Sequence, residues 1–511
     1  MISKKLGITL YLLSLFLCSF SQHRSDKWML GYGLVTGIKP AMDFSSGVAD
    51  TFSLTRPMEF FITDASICDT SGQLLFYTNG QQIENRFQSP LFNSSNFNSG
   101  WGQTFYTRGL GYSQGAIILP DPGDNNRYYL LYVSNEDFFN YHIPNDTATY
   151  QDLEPFNLSY THIDMALDSG KGGVLIGEKN INIINDTILL GRLTACRHAN
   201  GRDWWLMVHK YYSDIFYKVL ITPLGIATVD TQTIGPLLLP SNGMWDFDRT
   251  GQAFFSPNGQ TFAMSGPSNI IDIYKFDRCT GLLDSAISIN FPDTSAVVEG
   301  LSFSPNSRFL YVSHFYNLYQ YDTWASNIDS SRILVTQYDS FTNPFPTYFF
   351  MHQLAPDNKI YINTWGSSLV FHVIESPDSL GLACNVQQHS LIISNYNFSI
   401  PNFPNYDLGR LIGSPCDTIT IITEINSPPS LRSLKFYPNP ANTRVHLQYR
   451  LFEESNLRIF DVTGRIVKSI KLKNKSGEDD MDVSELTNGT YYYQLFSQSA
   501  ISETGKLLIV R

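Results

Sequence analysis

The chain has 511 residues, of which 43% are hydrophobic and only 16% charged, with a formal net charge of −11. That length allows two to four ordinary domains, or one large repeat domain with a small one beside it. The apolar content excludes a disordered chain and a multi-span membrane protein as descriptions of the whole, and the acidity argues against nucleic acid or an anionic membrane as the main partner.

At the start, Lys4 and Lys5 precede an apolar run over residues 6–20, and Ser19 and Ser21 supply small residues before a cleavage point. This predicts a secretory signal peptide over 1–21, too short and wrongly flanked for a membrane-spanning helix. Cys18 follows Leu17, where lipid attachment wants a small residue, so a lipoprotein is not expected. No later run is long and apolar enough to span a membrane, so no transmembrane segment is expected and the mature chain is expected to be soluble.

Beyond it, aromatic residues reach 14%, with 29 Tyr and 35 Phe beside 35 Gly and 25 Pro, a mixture that favours short strands joined by tight turns. One pattern recurs: an apolar strand, a turn of Pro, Asn, Asp and Gly, then an aromatic-rich strand. It covers 65–77 (ASICDTSGQLLFY), 115–133, 193–208, 252–264 (QAFFSPNGQTFAM), 300–313 (GLSFSPNSRFLYVS) and 351–363, with turns at Gly72, Gly123, Gly201, Gly259, Ser307 and Asn358. Gly and Asn tolerate the positive φ such turns need. Further strands at 271–276 and 318–321 suggest about four antiparallel strands in each unit of roughly 50 residues. One such sheet cannot bury both faces alone, whereas sheets stacked radially around an axis do so.

The expected fold is therefore all-β: a β-propeller over 22–417, with seven blades favoured and six or eight open. An array of β-sandwiches is the runner-up, and helical periodicity is nearly absent. The wide interval between Gly123 and Gly201 leaves room for an insertion around 172–184 or a poorly matching blade. The strand near 28–35 is a candidate to pair with the last blade and close the ring. The segments KWMLGYG…AMDFSSG, SICDTSGQLLFYTNG and SQGAIILPDPGDNNRYYLLYV resemble the N-terminal propeller of large secreted Bacteroidetes proteins of the gliding-motility-associated, sorting-domain-containing kind. That resemblance implies a fold and an extracellular location, but no particular chemistry.

Residues 418–432, with Pro428 and Pro429, read as a linker. Beyond them, alternation at Val445, Leu447, Tyr449 and Leu451, with turns at Thr463-Gly464 and Asn488-Gly489, predicts a small β-sandwich over 433–511. This segment has 11 Lys+Arg against 9 Asp+Glu, so the acidity belongs to the body. It resembles the type A C-terminal sorting domain of the type IX secretion system. The resemblance rests on Tyr437, Pro438, Asn439, Pro440 and Ala441, on Asp461 and Gly464 in DVTGR, on Gly489 and Tyr491 in LTNGTY, and on the terminal stretch from Lys506. It implies export, passage through the outer membrane by the type IX machinery, and release or attachment at the cell surface.

No residues converge on a catalytic set. Ser113 sits in Gly-Tyr-Ser-Gln-Gly, but a nucleophile elbow needs a following helix, and here a short strand and prolines follow. The acidic run at 246–251 hints at calcium but carries Pro257 where an EF-hand needs a bidentate Glu. His198, His209, His314 and His352 show no metal-binding spacing and read as hydrogen-bonded structural residues. Asp64, Asp164, Asp246 and Glu299 lie near unit boundaries, where a hydrolytic carboxylate pair would be sought. Trp204, Trp205, Trp245 and Trp365 read as packing, and Trp101, in a polar stretch, as the best candidate ligand contact. Of the cysteines left after export, Cys384 and Cys416 are the expected bridge. The leading expectation is a non-enzymatic surface propeller that binds a glycan or protein, without a cofactor; calcium in an acidic loop is the alternative to that last point. The alternatives are a secreted hydrolase of polysaccharide or peptide, and a structural component of the surface layer.

Overall fold

The computed structural model describes residues 23–33, 37–100, 102–105, 107–137, 153–238, 251–266, 269–291, 298–417, 433–450, 455–462, 465–472, 476–497 and 500–511. The chain forms two compact units, Met1–Thr418 and Ile419–Arg511.

Among the described residues, the first unit is a succession of antiparallel sheets of three to five strands, in chain order, with one two-stranded pair, Glu136–Asp137 with Leu153–Glu154, beside them. The first comprises Lys27–Met29, Ile38–Asp43 and Asp50–Thr55, and the second Ala65–Cys68, Leu74–Thr78 and Ile83–Asn85. The third begins with Ala116–Pro120, Arg127–Val133 and Asn157–Asp164. Its outer edge is filled by Gly173–Val174 and Ile181–Asn185, both paired with Asn157–Asp164. The stretch around 172–184 is thus part of this sheet, not a further repeat. Four regular four-stranded sheets follow. The fourth runs from Thr194–Arg197 to Gly225–Thr233, the fifth from Ala253–Phe255 to Leu282–Asn290, the sixth from Gly300–Phe303 to Ile333–Gln337, and the seventh from Tyr348–Leu354 to Val386–Asn397.

The hairpin turns have the conformation their residues favour. Gly72, Gly201, Gly259, Ser307 and Asn358 have φ of 83°, 74°, 70°, 67° and 62°, all left-handed. Gly123 is not left-handed; its N–H is held by Asp121 Oδ1 at 2.7 Å. The Ser-Pro-Asn turns of the fifth and sixth sheets are chemical copies. Ser256 Oγ and Ser304 Oγ each donate to the Asn two residues on at 2.7 Å, and each accepts from the returning strand at 3.0 and 2.9 Å.

Most apolar side chains on the first two strands of each sheet are buried, and they interlock with those of the neighbouring sheets. The first strands of successive sheets touch from the second to the third and from the fourth to the seventh. Between the third and fourth, Arg192 N–H donates to Ser113 O at 3.1 Å. Gly191 permits this approach, since a Cβ there would lie 1.8 Å from that carbonyl. The first sheet touches the second through Lys27–Met29, and the seventh through Ile38–Asp43.

The N-terminal strand does not add to the last sheet as expected. Lys27–Met29 pairs with Ile38–Asp43, and Gly31, at φ 68°, lies so close to the seventh sheet that a Cβ there would meet Tyr396 O at 2.3 Å. Contact with the seventh sheet is made by Tyr32 N–H to Tyr396 O at 2.9 Å and Asn395 Nδ2 to Ile38 O at 2.9 Å. The disulfide also differs from expectation. Cys279 pairs with Cys416, their Cα atoms 5.6 Å apart, whereas Cys384 is buried among Tyr311, Phe349 and Ile360. Nearness in sequence misled here, because the chain leaves the seventh sheet and re-emerges beside the fifth.

The second unit has two sheets, one of three strands and one of four. Their inward residues, among them Val445, Leu447, Tyr449, Leu457, Ile459, Leu495 and Leu507, form one core. This is the alternation expected of a small sandwich.

Candidate functional site

Three places in the chain gather side chains beyond what the sheets themselves require. The first lies between the first strands. After the seventh sheet, residues 398–406 have no regular secondary structure, yet all but Asn405 are buried. A buried chain without ladder bonds must find partners for its polar groups, and this one does. Asn402 N–H donates to Asp64 O at 2.9 Å, and its Nδ2 donates to Ala116 O and Leu193 O at 3.0 and 2.8 Å. Ser399 Oγ donates to Asp64 Oδ2 at 3.0 Å, and Tyr406 OH to Ile118 O at 2.8 Å. Gln114 Nε2 bonds Asn402 Oδ1 at 3.1 Å. The segment is thereby tied to the second, third and fourth sheets. The cavities beside it are small: one of ≈ 20 Å³ is lined by Cys196, Phe255, Phe403 and Leu408, room for about one water.

This packing accounts for most of the carboxylates and hydroxyls singled out in the sequence. Asp64 is buried, and desolvation raises its carboxyl well above the usual range. Glu299 is likewise fully buried, and Asp164 accepts from Arg127 Nε at 3.1 Å. None of the three is joined to another in a solvent-facing pair. Ser113 is fully buried, with a strand following it rather than a helix. His198 and His209 bond the carbonyls of Cys279 and Lys210, His314 stacks on Phe291 at 4.7 Å, and His352 pairs with Ser313 Oγ. Trp204 and Trp205 are buried. Trp101, Trp245, Asp246 and most of the acidic 246–251 run lie outside the described residues. Among the described residues no cluster of three or more His, Cys, Asp or Glu is placed to hold a metal ion.

The second place is one end of the sixth and seventh sheets. The turn between Phe309–His314 and Asn317–Asp322 carries Phe315 and Tyr316. The link from Ile333–Gln337 to Tyr348–Leu354 carries Tyr338, Phe341 and Phe345. Both open at the end where Tyr348 pairs with Trp365. Tyr348 meets Phe315, Tyr316 and Tyr338 at ring distances of 4.5, 5.0 and 4.8 Å. Phe341 stacks on His389 at 4.0 Å, and Phe345 meets Tyr396 at 6.3 Å. Tyr396 stacks on Tyr32, over which Arg108 lies at 4.8 Å. Tyr316, Phe341 and Phe345 are 43%, 37% and 48% exposed, a costly display of aromatic surface if it only faced water. Asn317, Gln337 and Arg108 border the rings with hydrogen-bonding groups. Sequence reasoning missed this cluster because it weighed tryptophans. The available signal was the aromatic–proline run at 338–348 between two strands. Trp365, read as packing, touches both Phe315 at 6.0 Å and the internal Phe398 at 5.4 Å.

The third place is in the second unit. Asn439 Nδ2 donates to Lys506 O at 3.0 Å, while its Oδ1 accepts from Leu508 N–H at 2.9 Å. Ala441 N–H donates to Leu508 O at 2.8 Å, and Val510 N–H donates to Ala441 O at 2.9 Å. Arg511 Nη2 lies 2.6–2.8 Å from the carbonyls of Val483, Ser484 and Leu486, and Asn488 Oδ1 accepts from Arg511 N–H at 3.1 Å. Tyr491 OH donates to Thr487 O at 2.9 Å. Two of the other three sequence motifs of this unit therefore converge on the fourth, the last six residues. Tyr437, Pro438 and Pro440 are exposed beside them. Asp461 instead closes its own turn, accepting from Arg465 Nε at 3.1 Å, and Gly464 lies outside the described residues.

Residues 435–510 match the family model of the secretion system C-terminal sorting domain. No curated protein is detectably similar to this chain. Several solved structures resemble parts of this chain. A Bacteroides uniformis protein described as a candidate 6-phosphogluconolactonase is 11% identical over 72% of this chain and 96% of its own, with a TM-score of 0.42. The periplasmic gluconolactonase of Pseudomonas aeruginosa is 12% identical over 73% and 90%, with a TM-score of 0.34. The Dos1 propeller is 10% identical over 65% and 70%, with a TM-score of 0.33. Likeness of this order carries no activity across. What the family match gives is an address: the C-terminal unit is a type IX secretion sorting domain, and the chain is delivered to the outer cell surface or released from it.

Proposed function

We propose that this protein is a seven-bladed propeller that, once exported, binds an extracellular glycan through the aromatic end of its sixth and seventh blades. On this reading residues 1–21 are a signal peptide, 22–417 the propeller, 418–432 a linker, and 433–511 the sorting domain that engages the type IX machinery. Seven successive sheets support the blade count. Ring closure is supported by their ordered contacts and by the first sheet lying against the seventh.

The binding reading rests on one observation: three exposed rings at this end, Tyr316 packed on Tyr348, Phe341 on His389 and Phe345 beside Tyr396. Flat rings bordered by amides and a guanidinium suit the apolar faces and equatorial hydroxyls of sugars. The test is a glycan-array measurement on the purified full chain, with calcium and with EDTA, beside the Tyr316→Ala/Phe345→Ala variant. Selective binding that weakens at least about ten-fold in the variant supports the site. Hydrolysis of the bound glycan would instead make the protein a secreted polysaccharide hydrolase. A blank array would replace the glycan with a protein partner or a structural role in the surface layer.

A further inference from the structure

We propose that the Cys279–Cys416 disulfide is a latch that locks the internal segment 398–406 between the sheets and isolates it from the chain beyond residue 417. The segment lies in the last part of the first unit, and side chains and backbone of neighbouring sheets hold it rather than any ladder of its own. Its exit is also marked. Arg278 Nη2 donates to Gly409 O, Leu411 N–H donates to Ala199 O at 2.8 Å, and the bridge follows at Cys416, next to the unit boundary at Thr418.

The anchor side is tied down by hydrogen bonds. Cys279 sits in the outer turn of the fifth sheet, where its N–H donates to Asp277 Oδ1 at 2.8 Å and its carbonyl bonds His198 Nε2 at 3.0 Å. A pull or a fraying that begins in the C-terminal direction therefore ends at this turn instead of reaching Asn402. This reading concerns one segment and does not depend on what the aromatic end binds.

The cysteines are sorted for such a role. Cys68, Cys196 and Cys384 are buried, and burial pushes each thiol up, which leaves them inert to exchange. Cys279 and Cys416 are half-buried and within reach of solvent. Cys279–Cys416 is the one disulfide among the described residues, and a dithiol reductant can reach it. One of its thiolates attacks a sulfur of the bridge, its second thiol closes a disulfide in the reagent, and Cys279 and Cys416 each leave as a thiol with a proton from water.

The test is hydrogen exchange by mass spectrometry on the full-length protein, before and after dithiothreitol, with the Cys279→Ser variant as a reagent-free comparison. Peptides covering 398–417 are expected to exchange at least about ten-fold faster once the bridge is open, while peptides over 309–322 keep their protection. Unchanged protection of 398–417 would overturn the latch. So would loss of protection everywhere at once, which would make the bridge a brace for the whole unit. Peptide mapping that finds Cys416 bonded to a cysteine other than Cys279 would also overturn it.

Discussion

The side-chain amide of Gln252 holds both backbone polar groups of His352, accepting from its N–H at 2.7 Å and donating to its carbonyl at 3.0 Å. Gln114 does the same to Ala253, at 2.7 and 3.0 Å, and Gln232 to Leu283, at 2.9 and 2.6 Å. In each case a primary amide stands in for a peptide group where two sheets meet and no strand can complete the ladder. A glutamine has the right pair of atoms and a stem long enough to cross the gap.

This arrangement sets the cost of losing each amide. Gln252 is buried, so Gln252→Leu strands the His352 N–H and carbonyl without water, at about 1–3 kcal/mol for each group. We expect a loss of about 2–5 kcal/mol in urea unfolding. Gln232 is half-exposed, and Gln232→Leu is expected to cost less than about 1 kcal/mol because water replaces the amide. Tryptophan fluorescence reads the first unit alone, since all 7 tryptophans lie between Trp28 and Trp365. Equal losses in the two variants would contradict the role given to burial.

Asp272 offers a test by pH. It is buried beside Ser288, and desolvation lifts its carboxyl to about 6 from 3.8. Between those values the folded chain keeps a proton that the unfolded chain has released. The carboxyl thus costs the fold nothing below pH 3.8, and its full penalty is felt above pH 6, up to about 3 kcal/mol for two pKa units. Asp272→Asn keeps an acceptor for Ser288 and carries no charge. The variant is expected to be more stable than the parent at pH 8, with the gap closing below pH 4. A gap that does not change with pH would refute the assignment.

His352 has the opposite sign. It is fully buried, and desolvation lowers its pKa to about 3 from 6.5. The unfolded chain binds a proton in that window and the folded chain does not, so stability falls as the pH drops from 6.5 toward 3. Each pH unit removes about 1.4 kcal/mol for this one group. His209 and His372, lowered to about 4 by burial, add to the loss. His352→Gln retains a polar partner for Ser313. Its stability between pH 6 and 4 is expected to fall less steeply than the parent's by about one proton's worth.

The all-β class and the hairpins were legible because turn chemistry is local. Gly72, Gly259, Ser307 and Asn358 can be read one residue at a time, and their conformations follow from their own side chains. The alternation at Val445, Leu447 and Tyr449 was legible for the same reason. What escaped was non-local. Residues 398–406 carry no period, because their partners lie on other sheets, so nothing near them in the sequence marks them as buried. Cys416 was matched to the wrong cysteine for the same reason. The aromatic end was hidden because Tyr316 and Tyr348, separate in sequence, become neighbours only where the sixth and seventh sheets meet.

The sorting domain gives the last prediction. Its terminal strand Ala500–Ile509 is held on one side by Gly489–Ser497 and on the other by the turn at Asn439 and Ala441. Arg511 then fastens the chain end to three carbonyls that would otherwise close the turn at 483–486 unaided. These clamps hold the terminal strand as a folded element, and the prediction is that the export machinery meets it in that form. Arg511→Ala removes charge-assisted bonds at an exposed site and is expected to cost the domain about 1–2 kcal/mol. Asn439→Ala removes two neutral bonds and is expected to cost about 1 kcal/mol. Each should lower the amount of protein reaching the surface of intact cells, measured by antibody labelling against total cell content, and the double variant should lower it further. Arg511→Lys keeps the charge but has only one nitrogen to offer, so it should fall between the parent and Arg511→Ala. Full surface delivery of the double variant would mean that the machinery reads the terminal residues as an extended peptide, and that the clamp matters only for the stability of the domain.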